Sequence, residues 1–177
     1  NGKVVLLSYD YSYDDTSSTY DTSKSYIITL NSDGSLNNEI EVSYSDNSTK
    51  GFIANDDGTA LIAHSYGIYK IATDGTLSKW KGLVNASGAF VSGSGDEQFD
   101  TIADIKKDKD GNIYVLDSAE NKIKVYSAVG TFIKSFSISS YIYKFQIDNN
   151  GNIYTYNSTS TLLIKRTNDG TFINQMG

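Results

Sequence analysis

Residues 99–138 read FDTIADIKKDKDGNIYVLDSAENKIKVYSAVGTFIKSFSI. Three short runs rich in β-branched and aromatic residues, Ile113–Leu116, Ile123–Tyr126 and Thr131–Phe136, are separated by turn residues, which is the pattern of strands. Asp110-Gly111 before the first run and Gly130 before the third supply the positive φ that tight hairpin turns demand. The stretch predicts four antiparallel strands, one ahead of Gly111 and one on each run.

The layout recurs along the chain. Residues 141–177, YIYKFQIDNNGNIYTYNSTSTLLIKRTNDGTFINQMG, repeat it closely, and residues 50–83, KGFIANDDGTALIAHSYGIYKIATDGTLSKWKGL, repeat its turns. A more distant copy begins at NGKVVLLSYD (1–10) and resumes at SYIITLNSDGSLNNEIEV (25–42). Gly58, Gly111 and Gly151 are spaced by 53 and 40 residues, and Gly34, Gly75, Gly130 and Gly170 by 41, 55 and 40. Both long intervals span Val84–Thr101, so one insertion of about 14 residues in a period of about 40 accounts for them.

Four strands per repeat of this length is the signature of a propeller blade. The expected fold is all-β: a β-propeller of four-stranded antiparallel blades at about 1–42, 50–83, 99–138 and 141–177, in a single domain. Asn1-Gly2-Lys3-Val4 aligns with the turn at Gly111, so the first blade is expected to lack its innermost strand. The ring it belongs to is then a longer chain, a closed four-bladed ring, or a pairing of copies through unpaired blade edges. A parallel β-helix is the competing fold, but its rungs are shorter and need no Asp-Gly hairpins.

Composition narrows the function. The net charge is -6 and the 15 basic residues are scattered, which argues against a nucleic-acid surface. No apolar run approaches a membrane span, so no membrane insertion is expected. With no cysteine there is neither a disulfide framework nor a thiolate ligand or nucleophile. Abundant Tyr, Ser, Thr and Asn suit an exported protein, extracellular or at a cell surface.

The stretch GSGDEQFDTIADIKKDKDGNIYVLDSAENKIKVYSAVGTFIKSF (93–136) resembles an NHL repeat. Gly93, Gly95, Asp96, Phe99, Asp108, Gly111, Asn112, Ile113, Tyr114, Val115, Asp117 and Ser118 match the family's pattern. The family's usual proline is absent and its common arginine is Lys122. The resemblance is strongest over 93–138 and good over 141–177, while the first two copies match in turns and periodicity only. It implies a usually six-bladed ring and an interaction platform with protein partners. RNA binding, which the family also includes, is disfavoured by the charge.

In an up-and-down blade successive turns alternate between the two ends of the strands. All seven tight glycine turns therefore fall at one end, and the longer connections, Asp10–Lys24, Ser43–Lys50, Val84–Thr101, Asp117–Asn121, Ser137–Ser140 and Asn157–Thr161, at the other. Long loops on a rigid scaffold are where binding resides. The first of them, with Tyr9 just before it, holds the candidate binding residues Tyr9, Tyr11, Tyr13, Tyr20, Asp14, Asp15 and Asp21. Tyr9, Tyr11 and Tyr13 sit at period two, so an extended hairpin would present their rings together, to a protein or a glycan. The bland reading has the same rings covering a neighbouring blade. Ca²⁺ at the Asp10–Asp21 loop is a further expectation.

Other polar groups point to structure. Asp108-Lys109-Asp110-Gly111-Asn112 starts like a calcium loop, but its twelfth position is Ala119 where a glutamate is needed. His64 is the sole histidine and cannot build a multi-histidine metal site, so it reads as structural. Trp80 is expected at a blade seam. Asn47, Asn85 and Asn157 head glycosylation triplets. Asp104, Gln146 and Asn55 fall at innermost-strand positions but do not repeat as a ring of acids. No catalytic or metal residue is assigned and no enzyme activity is expected. The expected function is a non-catalytic binding or scaffolding module. The alternatives are a structural subunit of an extracellular filament or coat, and a lactonase- or lyase-like propeller enzyme.

Overall fold

The computed structural model describes residues 4–9, 12–14, 19–21, 25–42 and 49–177, with side chains for 5–8, 25–42 and 49–177. All its regular structure is β, and no helix forms among the described residues.

The first sheet has three strands in the order β1-β4-β5: β1 (Val4–Tyr9), β4 (Ser25–Leu30) and β5 (Leu36–Val42). Between β1 and β4 the chain makes a separate hairpin of β2 (Ser12–Asp14) and β3 (Thr19–Asp21). The second sheet runs β6 (Gly51–Ala54), β7 (Ala60–Ala63), β8 (Ile68–Ile71) and β9 (Leu77–Lys81), in that spatial order. A small hairpin, β10 (Leu83–Val84) and β11 (Phe90–Val91), follows it. The third sheet is β12 (Ile102–Lys107), β13 (Ile113–Asp117), β14 (Lys122–Tyr126) and β15 (Phe132–Ser137). The fourth is β16 (Phe145–Ile147), β17 (Ile153–Asn157), β18 (Leu162–Arg166) and β19 (Phe172–Met176). In both, neighbours in sequence are neighbours in space, and every pairing is antiparallel. The expected three-plus-four-plus-four-plus-four arrangement is what the chain forms.

Turn chemistry dictates this connectivity. Each of the seven tight turns closes with the same pair of backbone bonds: at Asp108, its N–H donates to Asn112 O (3.0 Å) while Gly111 N–H donates back to Asp108 O (3.2 Å). The glycine stands at φ between 81° and 89° in all seven, a region that costs a residue with a Cβ about 1 kcal/mol. The segment Val84–Thr101 after β9 is the insertion in the period. It folds on a copy of the same turn, Asn85-Ala86-Ser87-Gly88, with Gly88 at φ 80°. Asn85 Oδ1 accepts Ser87 N–H (3.1 Å) and Ala89 N–H (2.9 Å), so this triplet is first of all a turn.

By compactness the chain forms two units. The first comprises Asn1–Ser48, Ala54–Leu61 and Lys70–Ser78, and the second Thr49–Ile53, Ile62–Tyr69 and Lys79–Gly177. The core of the second unit lies between the third and fourth sheets, where Leu116, Ile123 and Val125 meet Ile138, Ile142, Phe145 and Ile153. All are buried, because each sheet presents one apolar face and covers that of its neighbour.

Candidate functional site

The sequence-predicted binding residues fall on the β2–β3 hairpin and its approach. Tyr9 ends β1 opposite Ser25. Tyr13 pairs with Tyr20, Asp14 with Thr19 and Ser12 with Asp21, so the backbone sets two tyrosines directly across from each other. Tyr11, Asp15 and Asp10 lie outside the described residues, as do the side chains of Tyr9, Tyr13, Asp14, Tyr20 and Asp21. The Ca²⁺ expectation therefore falls outside them too. Among the described residues no group of three or more His, Cys, Asp and Glu could hold a metal ion.

The motif residues of the third sheet serve its construction. Asp117 is wholly buried, and its carboxylate accepts Asp100 N–H (2.9 Å) and Thr101 N–H (3.0 Å). Lys124, also buried, donates to Gln98 O (2.7 Å) and Gly95 O (3.1 Å), with Glu120 and Asp117 beside it. Its ammonium stands 5.4 Å from the centre of the Phe99 ring. Tyr126 O–H donates to Asp96 O (2.6 Å), and burial pushes this phenol far above its usual range. Residues 95–101 are thus fastened by three side chains from β13 and β14, each meeting backbone groups that would otherwise be buried without partners. The geometry is that of a loop anchor.

Of the innermost-strand candidates, Asp104 and Asn55 are engaged within the fold. Asp104 is 2% exposed; its carboxylate takes Lys106 Nζ at 2.9 Å and Phe145 N–H at 3.3 Å, tying the third sheet to the fourth. Gln146 is exposed on β16, and Asn55 opens the Gly58 turn, donating to Thr59 Oγ1 at 3.0 Å. His64 meets the edge of Tyr69 with centroids 5.6 Å apart, and burial holds its imidazole below the usual range. Trp80 packs edge-on to Tyr126 at 5.9 Å, the seam placement expected for it.

Asp108 and Asp148 turn inward on their own loops. Asp108 Oδ1 accepts the N–H groups of Asp110 and Asn112, each at 2.9 Å. Asp148 repeats both bonds, and the Asn152 carboxamide that donates to it draws its pKa down to about 2. Asn157 is buried, its carboxamide donating to Ser140 O (2.8 Å) and accepting Thr159 N–H (3.0 Å), so that glycosylation triplet is consumed by a turn.

One cleft escaped the sequence reading. Within the first unit, Ile27 and Ile40 floor a cleft of about 780 Å³ rimmed by Thr29, Asn37, Asn38, Asn55, Asp57 and Thr59. Asp57 is held below its usual pKa by the Thr59 hydroxyl and amide, while the Asn37 carboxamide donates to Asn31 Oδ1 and that of Asn55 to Thr59 Oγ1, each at 3.0 Å. An apolar floor with carboxamide and hydroxyl rims suits a polyol-like ligand. The only trace in sequence is a pair of amide-rich steps, Asn37-Asn38 and Asn55-Asp56, which no local pattern joins.

No protein-family model and no curated protein matches the chain. Solved structures do, all at low identity. A catalytically inactive virginiamycin B lyase from Staphylococcus aureus, crystallised with quinupristin, is 18% identical, with a TM-score of 0.53 over 76% of this chain and 42% of that one. A nidogen/laminin complex gives a TM-score of 0.61 at 9% identity, over 89% of this chain and 57% of that one. The calcium-binding protein regucalcin from Agrobacterium tumefaciens gives 0.51 at 16% identity, over 88% and 56%. The chain spans about half the length of these structures or less. They are β-propeller proteins, and the fold of this chain is theirs.

Proposed function

We propose that this chain is a non-catalytic binding propeller of NHL type, working outside the cell or at its surface, that holds a protein or glycan partner on the β2–β3 hairpin. The observation that carries the reading is the hairpin itself. It is inserted between β1 and β4, where the third and fourth sheets connect the equivalent strands by short turns, and its backbone sets Tyr13 across from Tyr20. A rigid sheet bearing a tyrosine- and aspartate-rich extension has the composition of an adaptable recognition surface.

The non-catalytic part is supported by what the acidic groups already do. Asp104 and Asp117, the buried carboxylates that a lyase- or lactonase-like site would draw on, are engaged with backbone amides and lysines. Likeness in fold carries no activity across.

Arrays of glycans and of extracellular proteins, probed with the chain and with a Tyr11→Ser, Tyr13→Ser, Tyr20→Ser variant, test the proposal. The expected result is a set of ligands bound by the parent and lost by the variant at unchanged thermal stability. Ligands held equally by both would move recognition elsewhere, and loss on Asn38→Ala instead would assign it to the amide-rimmed cleft.

A further inference from the structure

The innermost strands carry a charge opposite to that of the chain. In a propeller the first strand of each blade lines the central channel, and here β6, β12 and β16 are the first strands of their sheets. Counted with the residue that leads into each of β6 and β16, they hold Lys50, Lys106, Lys107 and Lys144 against Asp104 alone. Four lysines against one aspartate give a balance of +3, in a chain whose formal net charge is -6. Charges of one sign along a shared space repel one another and draw in a group of the other sign.

Two of these ammonium groups converge on one carboxylate oxygen. Lys106 Nζ lies 2.9 Å from Asp104 Oδ1, and Lys144 Nζ lies 3.7 Å from the same atom. Their stems cross between neighbouring sheets. Lys106, from β12, sets its ammonium 6.0 Å from the centre of the Phe145 ring on β16. Lys144, at the entry to β16, reaches back to Ala103 O (3.4 Å) on β12 and to Lys50 O (3.1 Å). Asp104 is buried and held between them: its Oδ1 also accepts Ile105 N–H (3.0 Å) and its Oδ2 accepts Phe145 N–H (3.3 Å).

The charges at this spot do not balance. One carboxylate neutralises one ammonium, which leaves the pair with a positive charge to spare. Lys106 donates one of its three N–H groups to Asp104, and 28% of its side chain stays open although the third and fourth sheets both border it. Fastening β12 to β16 needs one lysine. The second makes the place a seat for an anion.

We propose that Lys106 and Lys144 together bind a small carboxylate, one oxygen to each ammonium, at the channel edge of β12 and β16. Asp104 is the positioning group that keeps the two lysines together. The spare charge selects the class of ligand. A monoanion with two oxygens meets both ammonium groups through charge-assisted hydrogen bonds and cancels what Asp104 leaves over. A phosphate dianion would overshoot that charge beside a buried carboxylate, and a metal ion would face two ammonium groups, so neither suits the place. The site does not depend on what the β2–β3 hairpin holds.

The test is an NMR titration of the isotope-labelled 177-residue chain with sodium acetate and, separately, sodium phosphate, at an ionic strength held constant with sodium chloride. Acetate is expected to shift the amides of residues 103–106 and 144–146 saturably, and phosphate to bind more weakly. Lys106→Gln and Lys144→Gln, each checked for parental circular dichroism, should weaken acetate at least about tenfold, since each removes one charge-assisted hydrogen bond. Lys79→Gln, on β9, should leave it unchanged. Asp104→Asn is the sharper arm. It keeps an acceptor for Phe145 N–H but deletes the negative charge, so it should reverse the preference and favour phosphate. No saturable shift in the parent, acetate binding that survives either lysine substitution, or phosphate held more tightly than acetate by the parent would each overturn the proposal.

Discussion

The third sheet and the first share the glycine turn before their last strand and pair their last three strands in the same order, yet they live in opposite circumstances. Val115 and Tyr126 of the third are fully buried, whereas Leu6, at the position of Val115, is 45% exposed. Leu36, the first residue of β5, is 60% exposed, and Phe132, which occupies that place on β15, is half-buried. The residues are apolar in both sheets. What differs is the neighbour: Tyr126 is enclosed by Trp80, Phe99 and Phe132, three rings within 6.0 Å. A blade of this kind specifies its own strands through its turns, but its core is completed by the sheet beside it.

The comparison can be broken most sharply by removing side chains at matched faces. Tyr126→Ala empties a space walled by three aromatic rings and is expected to destabilise by about 3–5 kcal/mol. Leu6→Ala, on the open face, should cost less than about 1 kcal/mol. Urea denaturation measures both. Comparable losses would mean that exposure does not set what the Leu6 side chain contributes.

The turn glycines give the next largest contrast. Gly34 and Gly170 share a positive φ, 83° and 87°, so alanine strains both by about 1 kcal/mol. At Gly170 the new methyl also runs into the Phe136 ring, raising the expected loss to about 2–4 kcal/mol. Equal values for the two alanine variants would show that the Phe136 ring moves aside without penalty.

The smallest effect is one of pH. Asp148 is held at about 2 by Asn152, against a usual 3.8, so the unfolded chain takes up its proton first as the solution is acidified. Its contribution to stability is complete above about pH 4 and disappears as pH falls toward about 2. Asp33 is lowered as well, chiefly through the Ser35 hydroxyl. Asp148→Asn should flatten the acid limb of the stability profile, and more so than Asp33→Asn. If Asp33→Asn flattens it equally, the Asn152 carboxamide adds nothing that a serine hydroxyl does not.

Local chemistry made most of the fold readable. Seven glycine turns, a period and short β-rich runs were enough for the strands of the four larger sheets, the three-stranded first one included, because hairpin turns are encoded within four or five residues. The β10–β11 hairpin carries the same turn signal, Asn85-Ala86-Ser87-Gly88, inside the long connection Val84–Thr101. The site was less readable for a physical reason. What Asp117 and Lys124 do depends on residues 95–101 folding back over them, through contacts that span 17 and 26 residues. The amide-rimmed cleft is assembled from residues on different sheets, and Asn38 and Asn55 share no motif. Turns announce themselves, whereas side chains that meet across sheets do not.

The turn glycines also bear on how a gene of this kind changes length. Gly75, Gly130 and Gly170 each accept whatever large apolar group the sheet before them presents: isoleucine, tryptophan or phenylalanine. The joint is therefore indifferent to which unit stands on either side. Unequal recombination that duplicates or deletes one unit of about 40 residues would leave every remaining joint chemically intact. Unit number is then a quantity that selection can adjust in whole steps, while the sequence inside each unit drifts.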